Sequence, residues 1–215
     1  MSHNQPKHYD KAADVDVRSL PLRGQSIGAW CAVGEPGAST GDEQTLTWVL
    51  SGDREGQDGV LFPGARELNS PAVHLSYSLD GHQSTPRRFD SFTPEPFSLL
   101  SFSGTSAGQA RVLVGTLFGR TSPVDTPQPL VGAELRIYPG AEFVFMVDPH
   151  LAYGVVALTE GIVVENIALE PATVGVPQAG TQTIHIVNTS EETVSAIVLG
   201  GAPTHPVTHP RPTVE

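Results

Sequence analysis

Hydrophobic positions in this chain fall into short runs that alternate with polar ones and stop at turn residues, with no sustained helical period. In "QTLTWVLSG" (Gln44 to Gly52), Leu46, Trp48 and Leu50 alternate with Thr45, Thr47 and Val49. A two-residue period bounded by Gly, Pro, Asn, Asp or Ser predicts a β-strand. The same reading covers "SIGAWCAV", "GVLF" and "AVHLSYSL" in the first half. In the second half it covers "ARVLVGTLFG", "GAELRIYPG", "EFVFMV", "YGVVALTEG", "IVVENIAL", "TQTIHIVN" and "TVSAIVLGG". The chain is predicted to be all-β. Between the halves, "DGHQSTPRRFDSFTPEPF" lacks a period and is punctuated by proline, which predicts a surface-wrapping stretch. Residues 1–16 read as a polar arm, and the Pro-rich tail 204–215 suits neither a helix nor a central strand.

A faint internal echo accompanies this pattern. "TLTWVLSGDREGQDGVLFPGA" and "YGVVALTEGIVVENIALEPAT" both read as strand, tight turn, strand and a Pro-containing corner. Two copies of one small barrel would produce it, and so would chance similarity between short hairpins.

Composition narrows the class. Of 215 residues, 39% are hydrophobic and 16% charged, enough apolar surface for a core; 22 Gly and 19 Pro suit many short strands. A formal charge of -11 repels phosphate backbones and anionic lipid, so neither nucleic acid nor a membrane surface is an expected partner. No stretch reads as a secretory leader or an apolar membrane span, and the single cysteine, Cys31, has no internal disulfide partner. The expected compartment is the cytoplasm.

In order along the chain, "VRSLPLRGQSIGAWCAV", "QTLTWVLSGD", "GVLFPGA", "TPRRFDSF", "TSPVDTPQPLVGAELRIYPGAEF" and "VLGGAP" resemble segments of pirin-like proteins, particularly their actinobacterial branch. The match spans about residues 16 to 203. The resemblance implies a bicupin: two tandem cupin (jelly-roll-like) β-barrels. It divides the chain into an arm (1–16), an N-terminal barrel (17–104), a C-terminal barrel (105–203) and the tail. It implies quercetin-type dioxygenation or, for some members, transcriptional co-regulation.

In that family the turn before the "QTLTWVLSG" strand carries His-Pro-His. Alternate residues of an extended segment point the same way, so both imidazoles can meet one iron, and a later His-x-Glu completes the ligand set. Here an ungapped count back from Gly52 puts Ala38 and Thr40 at the two imidazole positions, and the other register puts Gly37 and Ser39 there. "ARELNSPAV" is too short to replace the second ligand loop. His74 lies close by, but one imidazole does not hold a catalytic iron, and it reads better as a satisfied or surface histidine. The expectation is therefore no catalytic residue, no metal and no cofactor, with Thr40, Gln44, Trp48 and His74 lining a candidate pocket.

Other candidates read as structural. Apolar neighbours make Cys31 inert rather than a redox thiol. His150 in "DPHLAYG" and His185 in "TIHIV" could converge inside the second barrel, but no carboxylate is obviously joined to them. His205 and His209 are four apart, a zinc spacing only on a helix, which the following prolines forbid. Glu35, Asp42, Glu43 and Asp53 read as exposed turn carboxylates rather than an acid–base pair. No nucleophile elbow, phosphate-cradling loop or Cys-rich zinc spacing occurs.

Three readings follow. The first is a metal-free bicupin scaffold that binds a small molecule or protein without catalysis. The second is a quercetinase-like dioxygenase with iron or another divalent metal at a non-standard or second-barrel site. The third is a regulatory interaction protein.

Overall fold

The computed structural model of the chain describes residues 17–21, 26–34, 43–49, 60–63, 72–78, 91–126 and 128–203. They form strands and turns with no helix among them. The strands are β1 (Val17–Pro21), β2 (Trp30–Gly34), β3 (Glu43–Val49), β4 (Leu61–Pro63), β5 (Ala72–Ser78) and β6 (Phe97–Leu100). Next come β7 (Ser106–Val114), β8 (Thr116–Leu117), β9 (Arg120–Thr121), β10 (Leu130–Ile137), β11 (Glu142–Met146) and β12 (Ala152–Ala157). The last are β13 (Ile162–Val164), β14 (Ile167–Leu169), β15 (Thr173–Pro177), β16 (Thr183–Asn188) and β17 (Val194–Gly201).

A seven-stranded sheet, ordered β1-β15-β12-β17-β10-β7-β6, is the centre of the molecule. One face packs on the four-stranded sheet β11-β16-β13-β14, and this pair forms the second barrel. The other face packs on the first-half sheet β2-β5-β3-β4. Being covered on both sides explains why "AIVLGG" is apolar without alternation: Ala196 and Val198 enter the second barrel, while Ile197 and Leu199 face the first-half sheet. The strands β11 and β16 are covered on one side only and do alternate, with Phe143, Phe145, Ile184 and Ile186 buried. The edge strands β1 and β6 come from before residue 104, so the central sheet draws on chain from both sides of the 104/105 boundary.

The two halves are joined by a turn in "SIGAW". Ile27 N donates to Trp30 O (2.9 Å) and Trp30 N to Ile27 O (3.0 Å), which aims the Trp30 ring at the second half. Its indole N–H donates to Val131 O (3.1 Å) and Gly200 O (2.9 Å), two residues opposed across the β10–β17 ladder. Tyr77 meets the ring edge-on at 5.8 Å. Gly200 is required here, because a Cβ would stand 2.4 Å from a Tyr153 ring carbon.

Three expected runs divide differently. "IVVENIAL" is a hairpin, β13 and β14, turning at Glu165 with φ 53°. "ARVLVGTLFG" breaks at Gly115 into β7 and β8. "SIGAWCAV" is a turn followed by β2. The internal echo does not extend to pairing: β3 and β4 are antiparallel neighbours, whereas β12 and β13 lie in different sheets. No helix among the described residues is long and apolar enough to cross a membrane.

Candidate functional site

The strand that carries the resemblance is β3, and its register sorts the candidate residues. Gln44 opposes Tyr77, Leu46 opposes Leu75 and Pro63, and Trp48 opposes Val73 and Leu61. Residues directly opposed across an antiparallel ladder share a face, so Gln44 and Trp48 belong to one row. His74 opposes Thr47 on one side and Gly34 on the other, which places it in the alternate row. Thr40 and Ala38 lie outside the described residues, as do Glu35, Asp42, Asp53, His205 and His209. Glu43 begins β3 opposite Ser78, and Cys31 falls at the β2–β5 register shift.

The Trp48 row is a packed face. Trp30, Trp48, Leu61 and Leu75 are fully buried, with Val73, Leu46 and Tyr77 close to it. Burial raises the Tyr77 hydroxyl above its ordinary value near 10, which disfavours the phenolate a metal would need. The indole nitrogen of Trp48 is buried and has no hydrogen-bond partner among the described residues. The alternate row is not a solvent face either, because Thr47 and Ser76 are buried. The sequence had no signal for that, since threonine and serine alternating with apolar residues read as an exposed row.

The second barrel is filled with hydrocarbon. Leu135, Ile137, Phe143, Val155, Ile162 and Ile186 are among the side chains that meet between its sheets. The buried polar side chain Asn188 is consumed by structure: its Nδ2 donates to the carbonyls of Ile137, Tyr138 and Glu192 at 2.7–3.0 Å. His185 alternates with buried Ile184 and Ile186, so its ring stands outside the core, 2.8 Å from Glu142. His150 is exposed in the turn after β11, where its backbone N–H donates to Asp148 Oδ1 (2.9 Å). These two histidines do not converge inside the barrel. Among the described residues, no group of three or more His, Cys, Asp or Glu could hold a metal ion.

Open space lies elsewhere. A groove of about 970 Å³ runs between the Gly115–Val131 segment and the Met146–Tyr153 turn. It mixes the carboxylates of Asp125 and Asp148 with apolar Leu117, Met146 and Leu151. Tyr153 closes one end; its hydroxyl accepts from Asp148 N (3.2 Å), and burial is the main cause of its raised pKa.

No known family model matches the chain. A Pseudomonas aeruginosa protein provisionally named quercetin 2,3-dioxygenase is 26% identical over an alignment of 226 residues, covering 86% of this chain and 69% of its own. Among solved structures, quercetin 2,3-dioxygenase from Acinetobacter baumannii superposes with a TM-score of 0.65 and 21% identity, covering 88% of this chain and 80% of that one. YhhW from Escherichia coli, a bacterial pirin, superposes with a TM-score of 0.50 and 14% identity, covering 88% and 92%. These likenesses place the chain in the bicupin fold.

Proposed function

We propose that this chain is a pirin-like bicupin, of the actinobacterial type, that has given up the first-barrel metal site and serves as a non-catalytic binding scaffold. The donor set carries the reading: residues 35–42, where relatives present two imidazoles, hold Glu-Pro-Gly-Ala-Ser-Thr-Gly-Asp. Neither the methyl of Ala38 nor the hydroxyl of Thr40 replaces an imidazole nitrogen at iron. The packed Trp48 face supports the same reading, because indole and hydrocarbon offer no ligand. The residues at these positions do not fit the family's iron. The proposal keeps two tandem barrels with the chain passing from one to the other near 104/105, β1 and β6 crossing over to complete the central sheet, and a cytoplasmic setting.

Metal analysis of untagged protein purified without chelators, paired with oxygen uptake on quercetin, tests it. Substoichiometric metal and no uptake above the protein-free rate are expected. Stoichiometric iron, nickel or manganese with turnover overturns the proposal in favour of a dioxygenase. The names of the Pseudomonas and Acinetobacter proteins favour that second reading. Its ligand set would have to draw on residues outside the described ones.

A further inference from the structure

We propose that the open side of the second barrel is a binding site for a small planar aromatic anion, an aromatic carboxylate of one ring being the simplest. The proposal is independent of whether the first barrel holds a metal. Both sheets of the second barrel end here: β6 is an edge of the seven-stranded sheet and β11 an edge of its four-stranded partner. The two edges border one cavity of about 420 Å³, lined by Phe97, Phe118, Arg120, Phe143, Val144 and Phe145, among others. That volume lies within the range of small-molecule pockets.

The half-buried rings of Phe97 and Phe118 form the aromatic rim, backed by the buried rings of Phe143 and Phe145. Ring centroids of Phe97 and Phe118 are 5.8 Å apart, those of Phe118 and Phe145 4.9 Å, and those of Phe145 and Phe143 6.0 Å. Phe118 stands at the tip of the β8–β9 hairpin with φ 53°, followed by Gly119 with φ 71°. Two successive positive φ values define a turn whose first central residue is ordinarily Asn, Asp or Gly. A phenylalanine there costs roughly 1–2 kcal/mol of backbone strain, and such strain collects at ligand sites. The hairpin spends stability to hold a ring over the cavity.

Arg120, the next residue after that turn, supplies the charge. Its guanidinium carbon lies 5.5 Å from the Phe97 centroid, and no ion pair to a carboxylate is found for it among the described residues. An exposed arginine without an ion pair among the described residues is notable in a chain of net charge -11. A guanidinium held over the Phe97 ring keeps N–H donors for a carboxylate, which it can bind in the two-point manner. The β11 edge adds a backbone group. Asn188 N donates to Ala141 O and Val147 N donates to Gln182 O, so in an antiparallel ladder the odd-numbered residues bond β16. By that alternation Val144 turns its N–H and C=O to the open edge. One ring laid against Phe97 and Phe118, with its carboxylate on Arg120 and its edge near the Val144 backbone, uses these features together.

The test is binding of benzoate to the full chain by calorimetry, with benzamide (same ring, no charge) and acetate (same charge, no ring) as controls. Benzoate is expected to bind at least about tenfold more tightly than either control, the scale of one charge-assisted pair. It should also shift the amide resonances of Arg120 and Val144. Arg120→Gln should weaken benzoate about tenfold, with Arg120→Lys in between. Phe118→Asn, which suits the turn better, should weaken benzoate while leaving the fold intact by circular dichroism. No benzoate binding at millimolar concentration, equal binding of the three probes, or unchanged affinity in both Arg120→Gln and Phe118→Asn overturns the proposal. None of these outcomes bears on metal content, so this site and the first-barrel reading fail separately.

Discussion

The two tryptophans of this chain receive opposite treatment, and the same substitution at each should separate them. Trp30 and Trp48 are both fully buried in one cluster. Trp→Phe at either site removes similar hydrocarbon, costing about 1–2 kcal/mol in lost transfer and residual cavity. At Trp30 the change also deletes an N–H shared between Val131 O and Gly200 O, adding about 1 kcal/mol. At Trp48 the deleted N–H has no partner among the described residues, so its removal returns roughly 1–3 kcal/mol of desolvation penalty. Trp30→Phe should therefore be less stable than Trp48→Phe by about 2–4 kcal/mol, while Trp48→Phe stays near the parent protein. Urea unfolding followed by far-ultraviolet circular dichroism reads the difference without depending on the tryptophans. With equal slopes, the two midpoints should differ by about 1 M or more. If Trp48→Phe proves as destabilising as Trp30→Phe, the hydrogen-bond assignment at one of the two rings is wrong.

Two further predictions follow from the same packing. Gly200→Ala forces a Cβ to 2.4 Å from the Tyr153 ring, whereas Gly119→Ala meets no atom within 4 Å and carries only its positive φ. The first should cost about 3 kcal/mol or more and the second roughly 1 kcal/mol; thermal melts should show at least twice the Tm loss for Gly200→Ala. Burial raises the hydroxyl pKa of Tyr77 and Tyr153, so the folded state keeps those protons when the unfolded chain releases them near pH 10. Their contribution to stability is full below pH 10 and is lost as pH climbs above it. Urea midpoints measured between pH 8 and 11 should stay level and then fall, with a shallower fall in Tyr77→Phe. A rise above pH 10 would contradict the burial of these hydroxyls.

The strands were legible because their signal is local. Side-chain alternation marks β3, β5, β11 and β16, and short apolar runs bounded by turn residues mark β10 and β17, without reference to any partner. Short segments whose pairing is long-range were not legible. Val17–Pro21 is a strand because it pairs with Thr173–Pro177, more than 150 residues away, and nothing within "VRSLP" requires it. Hairpin tips were hidden similarly: in "LFGR" only Gly119 signals a turn, and the left-handed backbone of Phe118 follows from the pairing of Thr116 with Thr121.

The candidate site divides along the same line. The amino-acid sequence by itself determined which chemistry is available: an all-β chain whose residues 35–42 contain no imidazole, whatever their conformation. Only the tertiary structure decided where the rest of the chemistry goes. Register put His74 in the row of Thr47 instead of Trp48, and Thr47 and Ser76 are buried as well, so both faces of this sheet are covered there. Sheet order brought Arg120 and four phenylalanines from Phe97 to Phe145 around one cavity. Composition and alternation are properties of neighbours along the chain. Which face is buried, and which distant rings meet, depends on sheet pairing that closes loops of tens to hundreds of residues, and no local pattern encodes that closure.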